Sequence, residues 1–222
     1  MSVRLNKHLA LLSGLSRRAA DSAIADGRVA VNGVQANVGQ VISGTETITL
    51  DGQLLRAQTL QTILLNKPAG YVVSRNGQGS RTVYDLLPKE LHNLKPVGRL
   101  DKDSSGLLLL TNDGDLAAQL THPKYQKIKR YHVTLDHALA PLHRQMIQEY
   151  GVQLPDGPSR FTLERLQEGQ ETAWLVTMHE GRNRQIRRTF SALGYEVVRL
   201  CRVQFGNYTL PSNLRVGAYT PV

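Results

Sequence analysis

The chain has a single cysteine, Cys201, among 222 residues. A lone thiol can neither close an internal disulfide nor build a multi-cysteine zinc site, which excludes disulfide-stapled secreted scaffolds and agrees with a reducing compartment. Long apolar runs are lacking too: no segment approaches the roughly 18 consecutive apolar residues that a membrane-spanning helix needs. The opening MSVRLNKHLALLSG holds too short an apolar stretch for a secretory signal, so a cytoplasmic protein is expected, with no membrane partner. Aromatic residues amount to 5%, too few for a surface that grips single strands mainly by stacking rows of bases. The seven histidines show no ligand-like spacing and no phosphate-cradling glycine motif occurs, so the sequence offers no recognisable metal or nucleotide site.

What is present is an ordinary globular balance, 41% hydrophobic and 20% charged, with an excess of cations that gives a net charge of +9. A basic surface attracts polyanions at long range, and nucleic acid is the leading candidate. Charge alone describes a merely soluble basic protein equally well. Its placement along the chain has to decide.

Two parts follow one another, 1–60 and 61–222. In the first, Leu5, Leu9 and Leu12 recur at helical spacing, Gly14 ends the pattern, and Ser16 can cap a second helix carrying Ala19, Ala20, Ala23 and Ile24. RVAV then reads as a strand, Asn32-Gly33 as a hairpin turn, and VGQVI and TITLDG as further short strands. The result is a small α/β unit of the ααβ type. Arg17 and Arg18 fall in the first turn of the second helix, where cations oppose the dipole. They suit a phosphate contact or a solvated face. The polar DGQLLRAQTLQ, 51–61, reads as a linker, which predicts a first unit mobile against the second.

In the second part, TILLNKP and GYVVS read as strands, TVYDLLP as a short helix, GLLLLTN as a strand and DGDLAAQLTHP as a turn and helix. RYHVTLD reads as a strand with Tyr131, Val133 and Leu135 on one face, PLHRQMIQEYG as a helix aligning Leu142, Met146 and Tyr150, and AWLVTMHEG as a strand. NRQIRRTFSALG is helical with Ile186, Phe190 and Leu193 inward, and EVVRLCRVQFG closes as a strand. Many strands with few helices predict an α+β domain on a mixed, largely antiparallel sheet.

Groups able to do chemistry gather at GRLDKDSSG, KYQKIKRYHV and EGRNRQIRR. Asp101 and Asp103 stand directly before the apolar Leu107 to Leu110, where a carboxylate is costly unless paired. Four arginines crowd the start of a helix in the third stretch and need an anion, which a buried carboxylate, a phosphate backbone, or both could supply. An arginine from that cluster is the natural partner of Asp101. On the residues alone, a paired aspartate is more often structural than catalytic, Tyr131 reads first as a core strand position, and Leu200 reads at least as readily as ordinary core.

GRLDKDSSGLLLLTNDGDLA resembles the signature of the RsuA family of pseudouridine synthases, and NKPAGYVVS, TVYDLLP, KIKRYHV, EGRNRQIRR and GYEVVRLCRVQFG follow in that family's order. The resemblance implies isomerisation of uridine to pseudouridine in ribosomal RNA, more in keeping with the large-subunit branch, without a cofactor. It implies that Asp101 is the catalytic aspartate, that Tyr131 stacks on the target base, that Arg187 pairs with Asp101, with Arg184 as the other choice, and that Leu200 lines the uracil pocket. Asp103 receives a supporting role, holding the loop through Ser104, Ser105 or backbone. Arg99, Lys129, Arg130, Arg182, Arg184 and Arg188, with Lys124 and Lys127, are then phosphate contacts.

RLNKHLA, SRRAAD, GRVAVNG and VGQVI resemble the S-four-type RNA-binding domain, which implies an RNA-facing role for Arg4, Lys7, Arg17, Arg18 and Arg28. The implied partner is ribosomal RNA or a ribosome-assembly intermediate, bound by a monomer. The competing expectation is an RNA-binding assembly factor without catalysis. A carboxylate-bound metal at DKD, or a hydrolytic glycosidase, fits the charge distribution less well.

Overall fold

The computed structural model describes residues 2–222 and divides into two compact units, one of residues 2–61 with 112–114 and the other of 62–111 with 115–222. In the first unit β1 (Val3–Arg4) leads into α1 (Leu5–Ser13), which ends at a left-handed Gly14. The Ser16 side chain accepts from the Ala19 amide at 3.0 Å and starts α2 (Arg17–Ala25), supplying one of the acceptors that the first helical turn lacks. β2 (Val29–Val31) and β3 (Val34–Gln35) form a hairpin with Asn32 and Gly33 both at positive φ, 51° and 82°, the twist that antiparallel strands favour. β4 (Val41–Ile42) pairs with β1, while β5 (Ile48–Leu50) joins β2 and β6 (Gln53–Leu54). Leu5, Leu9, Ala20, Ile24, Val29 and Ile48 make the core.

The segment 51–61 is more structured than a linker. β6 lies within it, Leu55 packs on the first core, and the Gln58 amide donates to the Leu12 carbonyl at 3.0 Å. Leu55 supplies apolar surface that holds the segment to that unit, while Leu54 and Leu60 stay exposed among the polar residues.

The second unit is built on a sheet ordered β13 (Thr162–Arg165), β14 (Ala173–Met178), β10 (Lys129–Leu135), β15 (Val197–Phe205), β9 (Ser105–Thr111), β7 (Thr62–Lys67) and β17 (Tyr219–Pro221), with β8 (Lys95–Pro96) and β16 (Tyr208–Thr209) attached beside β9 and β15. Every pairing is antiparallel except β15 with β9, so the sheet is mixed and largely antiparallel, in an α+β arrangement. The leucine run is consecutive because β9 is covered on both faces: Leu108 and Leu110 enter one core cluster, Leu107 and Leu109 another. The parallel contact requires glycine at 106, where φ is +96° and an added Cβ would stand 2.3 Å from the Arg202 carbonyl oxygen.

α3 (Gly114–Thr121), α4 (Pro141–Gln145), the β11 (Val152–Leu154) and β12 (Gly157–Ser159) hairpin, and α5 (Gln185–Ser191) complete the unit. Two local expectations are corrected. GYVVS makes an isolated bridge, Val72 to Thr82, rather than a strand, because its backbone bonds locally to Arg81 and Val83 instead of joining the ladder. α4 passes into a π-helical turn at Met146–Tyr150, and that extra residue per turn rotates Tyr150 outward to 74% exposure and buries Ile147 instead. Leu142 is likewise exposed.

Candidate active site

Asp101 lies in the loop between β8 and β9, and that loop is fixed from below by Lys67, the last residue of β7. The Lys67 ammonium is fully buried and donates to the carbonyls of Ser104 at 2.7 Å, Pro68 at 3.0 Å and Asp101 at 3.1 Å. Gly70 adds its amide to the Lys102 carbonyl at 2.7 Å. The main chain on both sides of Asp101 is therefore tied down while its side chain, 32% exposed, points to no hydrogen-bond donor among the described residues closer than Arg184 Nη1 at 3.9 Å.

Burial lowers the Lys67 pKa to about 8 from 10.5, against the opposing pull of Asp103 and Asp101. Between those two values the folded chain binds fewer protons at this site than the unfolded chain, so the Lys67 contribution to stability rises with pH across that window. Denaturant melts of wild type and Lys67→Met are expected to show a stability difference that shifts in favour of wild type from pH 8 to 10. A difference that stays flat or falls would mean the ammonium is not desolvated.

The arginine stretch finds its anions inside the protein. Asp103 receives a bidentate pair from Arg184 at 3.0 and 3.1 Å, and Arg187 places Nε 3.2 Å from its carboxylate while Nη2 donates to its carbonyl at 3.0 Å. Arg187 also donates to the Val197 carbonyl at 2.6 Å. Burial pushes the Asp103 carboxyl up, but the Arg184 hydrogen bonds and the Arg187 charge outweigh it and hold it below its usual range.

Asp156, at the β11–β12 turn, takes the other two arginines. Arg188 makes a bidentate pair at 2.8 and 3.1 Å, and Arg182 bonds the Asp156, Gly157 and Pro158 carbonyls at 2.7 to 3.0 Å. Buried Gln185 links this loop to Ser159 and Glu180. The helix start thus keeps its cations because carboxylates oppose them.

Four of the expected roles take a definite form in this geometry. Arg187 is committed to Asp103 and Val197, and the arginine nearest Asp101 is Arg184. Arg182 and Arg188 pair with Asp156 and so brace the β11–β12 hairpin. Arg28 of the first unit is held bidentately by Asp51 at 2.6 and 2.8 Å. Asp103 supports the loop, but through the two arginines rather than through neighbouring serines.

Asp101, Tyr131, Leu200, Arg99, Lys129, Arg182 and Arg184 line one open cleft of about 980 Å³ in the second unit. Its floor is apolar: Tyr131 on β10, Leu200 and Phe205 on β15, all at most 8% exposed. Arg99 and Arg184 stand exposed in its lining, and Lys129 turns its ammonium 5.5 Å over the Phe205 ring. Burial, and secondarily the charge of Arg202, lowers the Lys129 pKa. Arg130, Arg187 and Arg188 do not line the cleft. Arg4, Lys7, Arg17 and Arg18 are exposed on the first unit, as are Lys124 and Arg130 on the second. Among the described residues no cluster of three or more histidine, cysteine, aspartate or glutamate side chains has a metal-binding arrangement, and no helix is long and apolar enough to cross a membrane.

Sequence reasoning missed Lys67, Asp156, Arg202 and Phe205. A usable signal existed for two of them. Lys67 is a charge at the end of an otherwise apolar strand, and Arg202 has the inward parity of Leu200 two residues earlier.

An apolar floor beside exposed Arg99 and Arg184 suits a flat base carried on a polyanion, and such a base reaches it only after leaving its stack. Residues 61–192 match the model of the RNA pseudouridylate synthase family, and the chain belongs to that family. It is 40% identical over 228 residues to ribosomal large subunit pseudouridine synthase B of Pseudomonas aeruginosa, covering 97% of this chain and 58% of that protein. Its similarity to the protein of the same name from Bacillus subtilis is 38% identity over 208 residues, covering 91% of this chain and 85% of that one. A crystal structure of a pseudouridylate synthase superposes with a TM-score of 0.71 at 34% identity, covering 99% of this chain and 96% of the other.

Proposed function

We propose that this chain converts uridine to pseudouridine in large-subunit ribosomal RNA, with Asp101 as the catalytic aspartate, Tyr131 as the platform for the extruded base and Leu200 as a wall of the uracil pocket. The observation that carries this reading is the presentation of Asp101, a carboxylate on a tied loop at the mouth of a cleft floored by Tyr131 and Leu200. Breaking the C1′–N1 bond leaves positive charge on the ribose and negative charge on uracil, and an ionised carboxylate acts on the ribose side. The base then turns and C5 bonds C1′; C5 loses a proton and N1 gains one. Nothing is oxidised and no atom is added, so the chemistry calls for no cofactor.

The first unit, on its exposed Arg4, Lys7, Arg17 and Arg18, supplies sequence-independent phosphate contacts in the manner of an S-four-type RNA-binding domain. The test is pseudouridine mapping of ribosomal RNA by carbodiimide primer stops, from cells with and without the protein, rescued by wild type or Asp101→Asn. A large-subunit stop that vanishes and returns only with wild type is the expected result. An unchanged set of stops would favour a binding-only role.

A further inference from the structure

Arg202 is a buried charged residue lining the same cleft, beneath its apolar floor, that the proposed reaction has not yet used. It is 2% exposed, its Nε donates to the Leu107 carbonyl at 2.8 Å, and its guanidinium carbon stands 4.8 Å from the centre of the Phe205 ring. Its Nη2 is buried without a hydrogen-bond partner among the described residues. A buried guanidinium is normally matched by a carboxylate, because desolvation costs several kcal/mol per ion. Among the described residues no carboxylate forms an ion pair with it, and its charge helps to lower the pKa values of both Lys67 and Lys129.

The strand register explains its position. Arg202 pairs directly with Tyr131 across β10 and β15, and the register slips between Arg130 and Tyr131. Directly opposed residues share a face, and the extra residue of the bulge brings Phe205 round to that face as well. An incompletely satisfied cation therefore lies beside the aromatic platform, at the depth of the base rather than of the backbone.

We propose that Arg202 is a further substrate-contacting residue, its Nη2 donating to a carbonyl oxygen of the target uracil and stabilising the negative charge the base acquires as the C1′–N1 bond breaks. This rests on the isomerase reading above. The departing uracil takes the bonding electron pair and spreads it over N1, O2 and O4. A guanidinium already in place meets that charge without reorganisation, while Arg202 itself stays protonated and exchanges no proton. Phosphates are excluded from this position by its surroundings. Tyr131, Leu200 and Phe205 form an apolar floor that suits a flat base, whereas Arg99 and Arg184, exposed to solvent, suit a hydrated backbone.

The experiment compares single-turnover conversion of large-subunit RNA transcripts carrying uridine, 2-thiouridine or 4-thiouridine, read by nuclease digestion and chromatography of the product nucleoside. A thiocarbonyl is a weaker acceptor, so wild type is expected to slow about tenfold or more with one of the two thio substitutions. Arg202→Met is expected to slow on uridine by about 10²-fold, to lose that thio sensitivity and to keep RNA affinity within about threefold. Arg202→Lys is expected to fall between the two. Equal wild-type rates on all three transcripts would overturn the assignment, and this comparison needs no variant to fold. An Arg202→Met enzyme with undiminished thio sensitivity would overturn it as well. Absence of product from wild type on the uridine transcript would instead remove the isomerase reading, and this assignment with it.

Discussion

Asp101→Asn is expected to lower the rate of uridine isomerisation by at least about 10⁴-fold, the scale of loss seen when a reacting carboxylate or nucleophile is removed, while RNA affinity is expected to change by no more than about threefold. The division follows from how the residue is held. Its contribution to the fold passes through its backbone carbonyl, which accepts from Lys67 at 3.1 Å and from the Ser104 amide at 3.1 Å, and asparagine keeps both bonds. Its carboxylate serves no short hydrogen bond, the nearest arginine nitrogen being 3.9 Å away. Affinity of a protein of net charge +9 for RNA is expected to reside mainly in phosphate contacts, which this substitution leaves untouched. Product formation and filter binding on the same preparation check the two halves. A variant that turns over at a tenth of the wild-type rate, or one that no longer binds RNA, would contradict the role assigned to Asp101.

Asp103→Ala is expected to reduce turnover by about 10²-fold although Asp103 does not line the cleft, because misplacing a reacting group by about 1 Å has that scale of effect. Asp103 is the joint between the loop that carries Asp101 and the helix α5. Two arginines converge on it, and one of them, Arg184, also faces Asp101. Removing the carboxylate frees Arg184 and leaves Arg187 attached to the loop only through the Asp103 carbonyl.

The pH dependence has a definite sign. The folded Asp103 carboxyl lies below its ordinary value of 3.8, so its stabilisation is complete above that pH and is lost as pH falls through the lowered value. The difference in unfolding free energy between wild type and Asp103→Ala is therefore expected to hold constant from neutral pH to about pH 5 and to shrink in stronger acid. Chemical denaturation across pH 2 to 7 checks this. A difference that grows in acid would show that the carboxylate is not clamped by cations.

Much of the frame was legible from local pattern. Leu5 and Leu9 at helical spacing, Gly14 after the last turn and Ser16 before the next identify two short helices, because burial and capping are decided within a few residues. Leu107 to Leu110 declare a strand, and the structure covers it on both faces. Local pattern failed where a segment's partner was not the expected one. GYVVS has strand composition yet bonds its neighbours, and Tyr150 keeps helical spacing from Met146 while a π-helical turn swings it into solvent.

Taken alone, then, the sequence determined the family, the order of the units and the stretches in which the chemistry gathers, since all of these depend on residue identity and short-range spacing. Only the tertiary structure decided which arginine faces which carboxylate. Arg182, Arg184, Arg187 and Arg188 are chemically equivalent in the linear string, and their anions, Asp103 and Asp156, lie some 81 and 32 residues from the arginines that hold them. The same holds for Lys67 and Arg202. A charge can be read from the sequence, but whether it is buried, paired or left to meet a substrate is set by the strands that close around it.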